Sequence, residues 1–99
     1  MDARLGSRFG ANLRRARRRA DLTQVQLARL VELHRNDVGQ LERGRRLPRL
    51  DTILKLSAGV SDSPCVLLGG LSWHPGHYVE GGFCVEDDSE ASTASEDVR

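Results

Sequence analysis

The sequence predicts an all-α fold: five short helices, a short β-hairpin after them, and an acidic tail without fixed structure. Three observations carry this expectation. Apolar residues recur every three or four positions through residues 5–68, the spacing of helices that bury one face. Capping residues and glycines interrupt that pattern at short intervals, which keeps each helix short. With 99 residues, 38% of them hydrophobic and only one Trp, one Tyr and two Phe, the chain can build one modest aliphatic core and no second full domain.

The first helix is predicted from Leu5 to Ala20, where Leu5, Phe9, Leu13, Ala16 and Ala20 share a face and Arg14, Arg15, Arg18 and Arg19 lie opposite. Thr23 offers its hydroxyl as an N-cap, and Leu27, Leu30 and Val31 follow at helical spacing, giving a second helix from Gln24 to about Val31. Glu32-Leu33-His34 forms the turn. A third helix runs from Arg35 to Glu42, with Val38 and Leu41 inward and Gly44 placed to end it in the left-handed conformation. Pro48 blocks continuation, and a fourth helix begins at about Leu50, with Asp51 near its positive end and Ile53, Leu54 and Leu56 available for packing. Gly59 is its expected terminator. Ser61 or Ser63 caps a last turn through Cys65, Val66, Leu67 and Leu68 before Gly69-Gly70. Residues 73–85 hold two β-prone stretches around glycines, the expected hairpin, and residues 86–99 are too poor in apolar side chains to order. The chain thus divides into a domain over residues 1–71, an aromatic and glycine-rich extension over 72–85, and a tail over 86–99.

The net charge of +1 conceals an asymmetry. Residues 1–60 carry fourteen of the fifteen Lys and Arg against six acidic residues, a balance of +8, whereas residues 61–99 carry one Arg against eight acidic residues, a balance of −7. A basic segment of this density attracts polyanions by releasing their condensed counterions, so nucleic acid is the first partner to consider. No window approaches eighteen consecutive apolar residues and the first residues lack a secretory pattern, so the expected compartment is the cytoplasm. There, Cys65 and Cys84 are expected as free thiols. His74 and His77 with these cysteines make weak spacing for a metal, and no Ser or Cys has a base placed to activate it; neither a cofactor nor an enzyme is expected.

Two short helices joined by a tight turn within a basic segment suggest a helix-turn-helix module, whose second helix lies in the major groove. The ungapped run from Leu22 to Leu56 makes this specific. It holds Leu22-Thr23-Gln24 with Leu27-Ala28, then Leu41-Glu42-Arg43-Gly44, then Leu50 to Leu56, and it resembles the Cro and phage-repressor family, also called the xenobiotic-response-element family. The resemblance implies a five-helix Cro/repressor-like domain over about Leu5 to Gly70 and sequence-specific binding of double-stranded DNA by a transcriptional regulator. It puts Arg35, Asn36 and Gln40 at positions that contact base edges, where Arg suits guanine and Asn or Gln suits adenine. Gln24, Arg43, Arg45 and Arg46 fall at phosphate-contacting positions, and Arg17 and Glu42 match a pair joining the first helix to the reading helix. A homodimer on a two-fold-related operator is expected, because one reading helix covers few base pairs.

Three residues depart from the family pattern. Glu32 stands at a turn position that is often Gly; Gly39 sits inside the reading helix; Asp37 brings negative charge to the DNA side, either as a helix-start charge or as an acceptor from cytosine. The rival function is a protein-interaction or antitoxin-like adaptor on the same fold, against which the arginine density argues. Residues 72–99 offer a surface for a protein partner: the hairpin is expected to cover the fifth helix or a partner subunit, and the tail either stays clear of DNA, competes with it, or engages another protein.

Overall fold

The computed structural model describes residues 2–76 and 80–86; Tyr78 in the extension and all but the first residue of the predicted tail lie outside these. Five helices follow in order, α1 (Ala3–Arg19), α2 (Gln24–Leu30), α3 (Arg35–Glu42), α4 (Leu50–Gly59) and α5 (Pro64–Leu67), and then strands β1 (Leu71–His74) and β2 (Gly82–Val85). The strands pair antiparallel with Leu71 opposite Val85 and His74 opposite Gly82. This is the predicted five-helix fold with its hairpin. One core holds it together: Phe9, Leu13 and Ala16 of α1 meet Leu27, Ala28 and Val31, Val38 and Leu41, Leu56 and Val60, and Leu67. No described helix is long and apolar enough to cross a membrane.

Local chemistry starts each helix. α1 begins two residues earlier than its apolar pattern suggested, because the Asp2 carboxylate accepts from the Arg4 backbone N–H. The Arg4 guanidinium hydrogen-bonds the same carboxylate and holds its pKa down at about 2. Thr23 and Gln26 form a reciprocal capping box on α2, at 3.0 and 2.9 Å. Ser63, rather than Ser61, caps α5.

The helix ends share one geometry. After α1, α2, α3 and α4, Asp21, Glu32, Gly44 and Ser61 respectively adopt φ of +60°, +60°, +72° and +59°. The following N–H then returns to a carbonyl five residues back: Leu22 to Arg17, Leu33 to Ala28, Arg45 to Gln40 and Asp62 to Ser57. This is the Schellman closure, and only α3 fills its left-handed position with glycine. Gly59 therefore does not terminate α4. It lies in the last turn because a Cβ there would sit 2.6 Å from Val31 Cγ1 and 2.7 Å from Leu27 Cδ1. The turn between α2 and α3 keeps its shape with Glu32 in place of Gly, at the conformational expense of a left-handed non-glycine residue. Glu32→Gly is expected to stabilise the fold by about 0.5–1 kcal/mol, seen as a rise in melting temperature; an unchanged or lower midpoint would contradict the strain at this turn.

The hairpin packs against α1 rather than over α5. Arg4 donates to the Phe83 carbonyl at 3.1 Å and Arg8 donates to the Glu86 carbonyl, while Trp73 and Phe83 pack edge to face at 4.8 Å between ring centroids. Arg8 is buried beneath Gly70, and its Nε donates to Asn12 Oδ1. The buried Asn12 amide in turn donates to the carbonyls of Leu67 and Gly69, both at 2.9 Å. These polar groups on α1 therefore fasten α5 and the hairpin to the helical core.

Candidate nucleic-acid interface

α3 presents its outer face to solvent because its inner face is fully used. Val38 and Leu41 enter the core, and Arg35, Asn36, Gln40 and Arg43 are exposed. Gly39 lies on the same surface but is covered. A Cβ there would lie 3.3 Å from Arg43 Nη1 and 3.7 Å from Gln24 Oε1, so the Arg43 guanidinium and the Gln24 amide close over the gap that glycine leaves.

The N-terminus of α3 is closed by side chains. His34 is its N-cap: the imidazole Nδ1 accepts from the Asn36 backbone N–H at 3.1 Å, and Asp37 Oδ2 accepts from the His34 N–H at 3.1 Å. Asp37 thus holds the start of the helix, where a carboxylate also complements the positive end of the dipole. Its other oxygen accepts from Arg46 Nη2 at 3.1 Å, tying the loop after α3 back to the helix start. Arg45 and Arg46 are both exposed on that loop.

The C-terminus of α3 is fixed by a buried charge. The Glu42 side chain is wholly buried; Arg17 Nε and Nη2 donate to its two oxygens at 2.6 and 3.0 Å. Gln24 Nε2 donates to Oε1 at 3.0 Å, and Arg14 Nε stands 3.6 Å from the same oxygen. Arg17 Nη1 also donates to the Leu22 carbonyl, so one guanidinium joins α1, the loop before α2, and α3. Among the described residues no buried side-chain polar atom lacks a hydrogen-bond partner. Gln24, at the first position of α2, therefore turns its amide nitrogen inward to Glu42.

Close backbone approach sets the remaining geometry. A Cβ on Gly10 would lie 2.5 Å from the Leu41 carbonyl oxygen and still closer to that of Glu42, and one on Gly6 would lie 2.8 Å from the Gly44 carbonyl oxygen. α1 can lie this near the end of α3 only because both positions lack side chains. The apolar periodicity of α1 gave no reason to single out either glycine, although their spacing of four places them on one face. The sequence places His34 in the turn, because imidazole is not among the usual caps.

What results is a surface with exposed amide and guanidinium donors on one helix, arginines on the loop after it, and a buried ion pair bracing it from behind. Such groups can donate to base edges and phosphates.

Comparison with known proteins gives the same assignment. A family model described as a helix-turn-helix domain matches residues 8–60. The structure is similar to that of the restriction-modification controller protein C.AhdI from Aeromonas hydrophila, at 41% identity and a TM-score of 0.60, over 62% of this chain and 92% of that one. It is similar to the P22 c2 repressor protein, solved in complex with a synthetic operator, at 28% identity and a TM-score of 0.57, over 61% and 91% of the two chains. It is also similar to the clp gene regulator ClgR from C. glutamicum, at 25% identity and a TM-score of 0.62, over 65% and 83%. No curated protein matches the chain at a significant level.

Proposed function

The chain belongs to the helix-turn-helix domain family, and from that premise we propose that it is a transcriptional regulator that binds double-stranded DNA in a sequence-specific manner. The observation that carries this reading is the exposed outer face of α3, with Arg35, Asn36, Gln40 and Arg43 in solvent while Val38, Leu41 and Glu42 anchor the helix. Arg35, Asn36 and Gln40 read base edges in the major groove; Arg43, Arg45 and Arg46 hold phosphates, and Gln24, whose side-chain amide donates to Glu42, contributes its phosphate contact through the backbone N–H at the start of α2. Asp37 draws Arg46 toward α3, so phosphate competes with this carboxylate for the guanidinium. Residues 1–71 form the DNA-binding unit and residues 72–85 an extension that braces α1.

The regulator acts in the cytoplasm, as a homodimer on a two-fold-related operator with half-sites about 34–36 Å apart. Exposed Leu47, Leu50, Leu54 and Leu68 support the dimer, since they give a second copy an apolar surface. The relatives favour regulation over the adaptor reading: one is described as a controller protein and another was solved on an operator. Titration of duplex DNA at several salt concentrations tests the choice. A regulator that neutralises several phosphates loses affinity steeply with salt, with a log–log slope of about −0.9 per phosphate; weak binding with a flat salt response would favour the adaptor.

A further inference from the structure

Gly39 stands midway along the outer face of α3, four residues after Arg35 and four before Arg43, so the three positions share one side of the helix. Glycine leaves a gap there. Side chains of a helix lean toward its N-terminus, and the Arg43 guanidinium lies back over this gap, with Nη1 and Nη2 3.3 and 3.6 Å from where a Cβ would stand. The Gln24 side chain flanks the same gap, with Oε1 at 3.7 Å and Nε2 committed to Glu42. Gly39 is thereby buried on a face that is otherwise in solvent, while Arg43 itself is exposed. Arg46 on the following loop is held by Asp37, but Arg43 has no hydrogen-bond or ion-pair partner among the described residues.

We propose that Arg43 reads a base edge through the gap at Gly39, in addition to holding a phosphate, and that the two residues act as one specificity element. A guanidinium carries five N–H donors in a planar fork, more than one phosphate contact takes up, and its two Nη groups suit guanine O6 and N7. The missing side chain at position 39 lets this fork lie along the helix, about one turn or 5.4 Å nearer to Arg35 than the Arg43 backbone is. A side chain at that position would take the space and push the fork outward. The base pairs read by α3 then include one contacted from its C-terminal end, beyond those that face Arg35, Asn36 and Gln40. The inference rests on the DNA-binding reading of α3 and adds a reading residue to it.

The test selects bound duplexes from a randomised library with the full chain and with Arg43→Lys, Arg43→Ala and Gly39→Ala, and then titrates each protein with the enriched duplex at several salt concentrations. Lysine keeps the charge that a phosphate needs and loses the fork. Arg43→Lys is expected to lose a base preference of about 5–150-fold at one symmetric pair of positions, distinct from the pair lost by Arg35→Ala, with its salt slope unchanged. Gly39→Ala displaces only the mobile end of Arg43 and improves helix propensity, so its melting temperature is expected to hold or rise while preference weakens at that same pair. A motif that Arg43→Lys reproduces unchanged would overturn the base contact, and so would an even loss across all sequences in Arg43→Ala with a salt slope lower by about 0.9, the mark of a phosphate contact alone. Preference untouched by Gly39→Ala would overturn the coupling of the two residues. An unenriched pool from the unaltered chain would overturn the DNA-binding reading itself, and this contact with it.

Discussion

Glu42→Ala is expected to destabilise the protein by about 3–5 kcal/mol, a large part of the roughly 5–15 kcal/mol that holds a domain of this size together. The reason is a stranded charge. Arg17 lies almost wholly inside, with its Nε and Nη2 on the Glu42 carboxylate, and truncation leaves that guanidinium without its counter-charge in a place water barely reaches. The Gln24 amide loses its acceptor in the same step. Replacing both partners with leucine removes the charge together with its counter-charge, and the double variant is expected to recover much of the loss, because a buried pair contributes little net stability over a packed apolar one. Urea denaturation of the two single variants and the double variant would show this. Equal destabilisation by the single and double variants would mean that the attraction itself, and not the avoidance of a buried lone charge, is what the pair supplies. Loss of DNA binding in either single variant reports unfolding of the brace behind α3, so it does not place Arg17 or Glu42 on DNA.

Gly10→Ala is expected to destabilise by about 1–3 kcal/mol, although helix propensity alone favours alanine over glycine by about 1 kcal/mol. Two effects of opposite sign meet here, and the steric one wins. The added methyl would enter the space of the Leu41 and Glu42 carbonyl oxygens, which belong to backbone and cannot rotate away. α1 must move off the end of α3, which also disturbs the Arg17–Glu42 ion pair two turns further along. Gly69→Ala serves as the comparison, since its Cβ would find the Val66 carbonyl oxygen at an ordinary 3.6 Å. Thermal unfolding of the two variants should show a clear drop in midpoint for Gly10→Ala and little change for Gly69→Ala. A midpoint raised by Gly10→Ala would mean that α1 and α3 do not approach as closely as described.

The helices were legible because their signals are local. Leu27 and Val31, or Val38 and Leu41, repeat at helical spacing; Thr23 sits where an N-cap belongs, and Gly44 where a left-handed residue belongs. The signals that failed concern contacts between distant segments. Gly59 looked like a terminator, yet its small size serves the approach of Val31 and Leu27, and Ser61 takes the left-handed conformation in its place. The basic face of α1, Arg14, Arg15, Arg18 and Arg19, is exposed as its spacing indicates, but nothing in that pattern marked Arg8 and Asn12, which turn inward to carbonyls contributed by residues far along the chain. The hairpin was visible as two β-prone stretches, but where it would lean was not, because that depends on Arg4 and Arg8 meeting its carbonyls. For the candidate interface, the sequence motif pointed to Arg35, Asn36, Gln40 and Arg43, which are exposed on α3. The arrangement around them, with His34 and Asp37 closing the front and Glu42 fixed behind, depends on tertiary contacts that no short motif encodes.

Selection of bound duplexes from a randomised library by the purified protein, with sequencing of the enriched pool and a parallel selection by Arg35→Ala, tests the central claim most directly. The account predicts enrichment of a two-fold-related motif, with base preference lost by the variant at one symmetric pair of positions and kept elsewhere, a discrimination of about 1–3 kcal/mol per contact. An unenriched pool, or a motif that Arg35→Ala reproduces unchanged, would contradict reading of DNA by this helix.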